Sequence, residues 1–183
     1  MTAGRLDAVL LDRDGTVNVK APEGDYVTQP DDLRLLPGAA RAIRALNDAG
    51  VPVAVVTNQR GIALGRMTEG DLAAVHARLA ELLAAAGAHV DAVFHCPHEK
   101  GVCACRKPGP LLLERARDAL GLADLRCSVM IGDALSDVQA GLAAGARTVR
   151  LSADPRAEAA GGTVAPTLLD AVSELLAARA AVA

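Results

Sequence analysis

The chain has 183 residues, 51% of them hydrophobic, which suits one domain with a full core and leaves no room for a second large one. Its 19 Lys and Arg face 22 Asp and Glu for a formal net charge of -3, and its only aromatic residues are Tyr26 and Phe94. With neither a basic surplus for a polynucleotide backbone nor aromatic platforms for bases, no nucleic-acid partner is expected. The first residues lack the apolar stretch of a signal peptide and no apolar run reaches membrane-spanning length, so a cytoplasmic protein with no membrane partner is expected.

In chain order, strands are predicted at about residues 7–12, 51–57, 90–95, 127–132 and 147–151, with helical patterns between them. The alternation argues for a doubly wound, Rossmann-like α/β fold with five parallel strands. Pro37-Gly38 opens the first helix, whose apolar positions Ala39, Ala42, Ile43, Leu46 and Ala49 follow helical spacing up to Gly50. Thr68 reads as the N-cap of a second, running to about Ala86 before Gly87. A third covers about Leu111 to Leu120 before Gly121, a fourth Ser136 to Ala144 before Gly145. Ala153 to Pro166 reads as a loop of small and polar residues, and Thr167 to Arg179 as a last amphipathic helix, packed on the sheet through Leu168, Leu169, Val172, Leu175 and Leu176. Residues 1–183 thus form a single domain.

Two stretches depart from the alternation. Val17 to Leu36 is punctuated by Pro22, Gly24 and Pro30, with Pro37 just beyond, and reads as a flap. Residues 96–105 hold Cys96, His98, Cys103 and Cys105, three thiols and an imidazole within ten positions. That set suits a closed tetrahedral zinc site of structural character, pinning a loop directly before Arg106 and Lys107. Cys127 reads as a small core residue, His95 as a polar strand end, and His76 and His89 as helix-surface and loop residues.

The chemistry gathers at strand ends. The first strand delivers Asp12-Arg13-Asp14-Gly15-Thr16, with two carboxylates spaced so that both could serve one cation or phosphoryl group. The second ends in Thr57-Asn58-Gln59, a hydroxyl and amides able to donate to an anion; alone, this is ordinary turn chemistry. Lys107 adds positive charge, and the fourth strand ends in Gly132-Asp133 with Asp137 one helical turn on. Three or four convergent carboxylates need a cation, and an oxygen-only ligand set favours Mg²⁺.

Asp12-x-Asp14-Gly15-Thr16, Thr57-Asn58, Lys107 and Gly132-Asp133-x3-Asp137, in this order, resemble the four motifs of the haloacid dehalogenase superfamily of phosphohydrolases. The resemblance implies that Asp12 is the nucleophile, forming an aspartyl-phosphate, and that Asp14 is the general acid and base. It implies Mg²⁺ bound by the Asp12 side chain, the Asp14 main-chain carbonyl and Asp133, phosphoryl oxygens held by Thr57 or Asn58 and by Lys107, and Asp137 as an orienting residue.

The spacing narrows the subclass: the intervals from Asp12 to Thr57 and from Thr57 to Lys107 leave no room for a folded cap domain. Cys-Pro-His, then Cys-x-Cys-Arg-Lys-Pro, resemble the capless branch that carries a zinc loop and acts on small phosphorylated sugars. The substrate implied is a heptose 1,7-bisphosphate losing its 7-phosphate, with histidinol phosphate or another sugar phosphate as the alternative. By the same resemblance Gly24, Asp25 and Tyr26 of the flap, Asn58, Gln59, Arg60 and Arg106 line the substrate pocket, the two arginines suiting a second phosphate. A monomer is expected. A non-catalytic phosphate-binding module is the rival class, and the intact pair Asp12 and Asp14 argues against it. Four departures from the pattern bear on substrate identity: Leu111 after Pro110 where the family has Pro-Gly, a short stretch between His98 and Cys103, a long flap before Asp25, and Ala134 after Asp133.

Overall fold

A computed structural model describes residues 5–154 and 156–181. Each predicted strand is present: β1 (Val9–Leu11), β2 (Val53–Asn58), β3 (Ala92–Cys96), β4 (Val129–Gly132) and β5 (Arg147–Leu151). The expected count of five is corrected to six by β6 (Thr163–Ala165), inside the stretch read as a loop. All pairs are parallel, in the order β3-β2-β1-β4-β5-β6. β6 adds at the edge, Val149 opposite Thr163 and Leu151 opposite Ala165. Three residues after Gly161-Gly162 are too few to show a period, and pairing with β5 makes them a strand.

The helices are α1 (Ala39–Asp48), α2 (Glu69–Ala85), α3 (Leu111–Ala119), α4 (Leu135–Ala143) and α5 (Leu168–Ala180). At α2 the Thr68 hydroxyl accepts from the Asp71 amide at 3.1 Å and Asp71 accepts from the Thr68 amide at 2.8 Å, a reciprocal cap for two orphan donors. Leu72, Val75, Leu79 and Leu83 form its buried stripe.

Because side chains alternate along a strand, the sheet has two apolar faces. Val9, Leu11, Val53, Val129 and Ile131 face α1, α2 and α5, while Leu10, Ala54, Val56 and Met130 face α3, α4 and the buried thiols Cys96 and Cys105. A sheet buried on both sides explains the near-continuous apolar runs that made its strands legible. All strands point one way, so the ends of β1, β2 and β4 open on one rim, where loops meet. The flap crosses this rim with a short 3-10 turn at Pro30–Asp32, and is tied back by an antiparallel bridge between Asn18 and Leu35. No helix among the described residues is long and apolar enough to cross a membrane.

Candidate active site

A cleft at that rim is lined by Asp12, Asp14, Thr57, Asn58, Lys107 and Asp133, with Lys20, Asp25, Tyr26 and Arg106 around its mouth. Asp12 follows β1 and is buried. Gly15 turns the chain away at φ +90°, and a Cβ there would lie 2.6 Å from Asp133 Oδ2; only glycine lets the β1 and β4 ends approach so closely.

The Lys107 ammonium is buried between the two ends. It donates to Asp12 Oδ1 and the Val56 carbonyl, each at 2.7 Å, and lies 2.6 Å from Asp137 Oδ1. Its three protons thus all have acceptors, as a buried cation requires. Burial works against its charge, and the two carboxylates more than offset this, raising its pKa. Burial pushes the Asp12 carboxyl up to about 7 against the pull of Lys107, with Asp137 adding repulsion.

Asp12, Asp133 and Asp137 each bring an oxygen within 4.8 Å of the others. Asp133 Oδ1 is buried and has no hydrogen-bond partner among the described residues. Three carboxylates against one buried ammonium, with a bare oxygen among them, fit a hard dication such as Mg²⁺. Asp137 is less available, since Oδ1 meets Lys107 and Oδ2 accepts from the Ala134 amide at 3.0 Å.

The Asp14 side chain stands apart from this trio. Arg13, fully buried, gives it Nη2–H bonds at 2.9 and 3.0 Å, Asn18 Nδ2 donates at 2.9 Å and Gln59 Nε2 at 2.8 Å. Burial alone would raise its pKa; Arg13, Asn18 and Gln59 together hold the carboxyl below the usual range. The far side of Arg13 meets His76 Nε2 at 3.2 Å, and because guanidinium only donates, that nitrogen accepts. His76 is therefore a packed residue, against the expectation of a helix surface. Burial, then Arg13 and His95, push it down to about 4. His95 itself contacts Glu69 at 2.9 Å.

The pocket assignments are corrected at three positions. Arg60 is paired with Glu99 and Gly24 is exposed; neither lines the cleft. Gln59 is buried behind it, bonded to Asp14 and to the Thr57 hydroxyl. Asn58 lines the cleft, but its side chain is engaged in a reciprocal pair with the Lys107 peptide at 3.1 Å in each direction, fixing the lysine's backbone. Asp25 and Tyr26 do reach the cleft, the Tyr26 ring lying against Gly61, where a Cβ would come within 2.9 Å of it. Arg106 also lines it, with Nη1 buried and without a partner among the described residues. Lys20 was missed by sequence reasoning: it sits at the mouth with Nζ 2.9 Å from Asp133 Oδ2, and nothing in the flap sequence set it apart from an ordinary solvated lysine.

Cys96, His98, Cys103 and Cys105 converge beside β3. Sulfur to sulfur distances are 3.5 Å from Cys103 to both Cys96 and Cys105, and His98 Nδ1 lies 3.2 Å from the Cys105 sulfur and 3.6 Å from that of Cys96. Ligands at about 2.3 Å from a tetrahedral zinc would stand roughly 3.8 Å apart, so this donor set suits that ion after slight expansion.

A sequence model described as haloacid dehalogenase-like hydrolase matches residues 5–145. Among curated relatives, D-glycero-beta-D-manno-heptose-1,7-bisphosphate 7-phosphatase of Mesorhizobium japonicum is 45% identical over 148 residues, covering 76% of this chain and 66% of that protein. The Escherichia coli K12 enzyme of the same name is 38% identical over 154 residues, 80% of this chain and 78% of that one. Among solved structures, the D,D-heptose 1,7-bisphosphate phosphatase of B. bronchiseptica, complexed with magnesium and phosphate, superposes with a TM-score of 0.85 at 33% identity, covering 94% of this chain and 99% of that one.

Proposed function

The chain belongs to the haloacid dehalogenase-like hydrolases, and from that membership we propose that it is a Mg²⁺-dependent phosphatase removing the 7-phosphate of D-glycero-beta-D-manno-heptose 1,7-bisphosphate. The observation that carries this reading is the convergence of Asp12, Lys107 and Asp133 at one rim, in a chain whose relatives bear that enzyme's name.

Mg²⁺ would be held by Asp12, Asp133 and the Asp14 main-chain carbonyl, where it would neutralise phosphoryl charge and restore Asp12 to a carboxylate. Asp12 then attacks phosphorus in line and the sugar oxygen leaves, giving an aspartyl-phosphate. Thr57 faces the phosphoryl oxygens, and Lys107 turns to them the proton it gives Asp12 Oδ1 in the free protein; Gln59 donates to the Thr57 oxygen, leaving the hydroxyl proton for the substrate. Asp14 serves the leaving oxygen as acid and the incoming water as base. To carry a proton it must loosen from Arg13, Asn18 and Gln59, and an approaching phosphate dianion favours that by raising its pKa. Arg106, with an unpartnered buried nitrogen, suits the phosphate that is not transferred.

Cys96, His98, Cys103 and Cys105 would hold one structural Zn²⁺, placing Lys107 two residues beyond the last ligand. Cysteines of which three serve a metal and none is paired in a disulfide fit a reducing cytoplasm.

The test is phosphate release from the heptose bisphosphate with and without Mg²⁺, for wild type and Asp12→Asn. Loss of at least about a thousandfold in kcat is expected for the variant, with thermal stability retained because Asn can still accept from Lys107. Turnover near wild type would refute the nucleophile.

A further inference from the structure

Around the cleft, Lys107 has all three protons engaged, whereas Lys20 has one partner among the described residues, Asp133 Oδ2 at 2.9 Å, on a side chain that is 60% exposed. Lys20 rides on the flap two residues after Asn18, which is buried and bonded to Asp14, so its root is fixed while its four-carbon stem can swing. The carboxylate it grips is the one whose other oxygen is buried and bare, and Arg150 steadies the same residue from behind through its carbonyl at 3.3 Å. A dication and an ammonium repel at this range, so occupation of Asp133 by one weakens its hold on the other.

We propose that Lys20 competes with Mg²⁺ for Asp133 and, once the metal has taken that carboxylate, turns to the phosphoryl group lying over Asp12. It is then a second phosphate-facing cation supplied by the flap, linking metal loading to phosphate capture. The inference rests on the phosphatase reading for the identity of the anion, while the contact it starts from does not.

The test is calorimetry on the full chain, which needs no turnover. Mg²⁺ is titrated into wild type and Lys20→Met without phosphate, then inorganic phosphate into each protein saturated with Mg²⁺. Lys20→Met is expected to bind Mg²⁺ about two- to fivefold more tightly, the range of a part-exposed ion pair, and phosphate severalfold more weakly. Lys20→Arg, which keeps the charge, should restore phosphate binding and serves as the folding control. Unchanged or weaker Mg²⁺ affinity in Lys20→Met would overturn the proposal, as would unchanged phosphate affinity. Failure to hydrolyse heptose bisphosphate would refute the functional reading and leave both titrations standing, so the two failures are distinguishable.

Discussion

The ammonium of Lys107 stands 2.7 Å from Asp12 Oδ1, joining the loop after the cysteine cluster to the end of the central strand. With Asp137 on its other side, this one side chain offsets two buried carboxylates. Lys107→Met should therefore reduce both turnover and stability. Leaving the carboxylates unpaired should cost about 3–5 kcal/mol in the metal-free protein, read as a shift of the urea midpoint, and Mg²⁺ should restore part of it. A variant as stable as wild type without metal would contradict the arrangement.

The cysteine cluster should hold about one zinc per chain on metal analysis, with no open position for substrate. Cys103→Ala or chelation should lower the melting temperature. It should also lower kcat by about tenfold to a hundredfold, because a displaced loop carries Lys107 with it. Zinc-free protein that is folded and fully active would contradict the assignment.

His76 gives a pH dependence of stability. Its folded pKa of about 4 lies below the ordinary imidazole value of about 6.5, so the unfolded chain binds the proton more readily. Its contribution is complete above about pH 6.5 and is lost progressively as pH falls toward 4, by about 2–3 kcal/mol. His76→Gln can still accept from Arg13 and does not titrate, so its stability should fall less over this window. Urea midpoints between pH 7.5 and 4.5 test this, and equal slopes would contradict it.

Much of this architecture was legible in the chain. The central strands β1, β2 and β4 announced themselves because they are buried on both faces, and the carboxylates because acids end apolar runs. What escaped was set by distant partners. Arg13 carried no signal of its own between two aspartates, and one partner of its buried guanidinium, His76, lies 63 positions away. Arg60 was paired with a hypothetical phosphate, whereas the short loop brings Glu99 to it. β6 depends on β5, and Lys20 on an Asp133 that lies 113 positions later.

Gly132 shows the same limit. A Cβ there would collide with the Asp137 carboxyl, which is turned inward to meet Lys107 and the Ala134 amide. Gly132→Ala should displace Asp137 and lower kcat more than it lowers substrate affinity, because Lys107 loses its orientation. Steady-state kinetics would show this as a fall in kcat with KM little changed, and a rise in KM alone would contradict it.

The most direct measurement of the central claim is phosphorus NMR of D-glycero-beta-D-manno-heptose 1,7-bisphosphate incubated with enzyme and Mg²⁺, alongside kcat/KM for histidinol phosphate. The account predicts loss of the 7-phosphate signal, retention of the 1-phosphate, and a preference of about a hundredfold or more over histidinol phosphate, roughly 2.7 kcal/mol of differential transition-state binding. Release of the 1-phosphate, or a preference for histidinol phosphate, would contradict it.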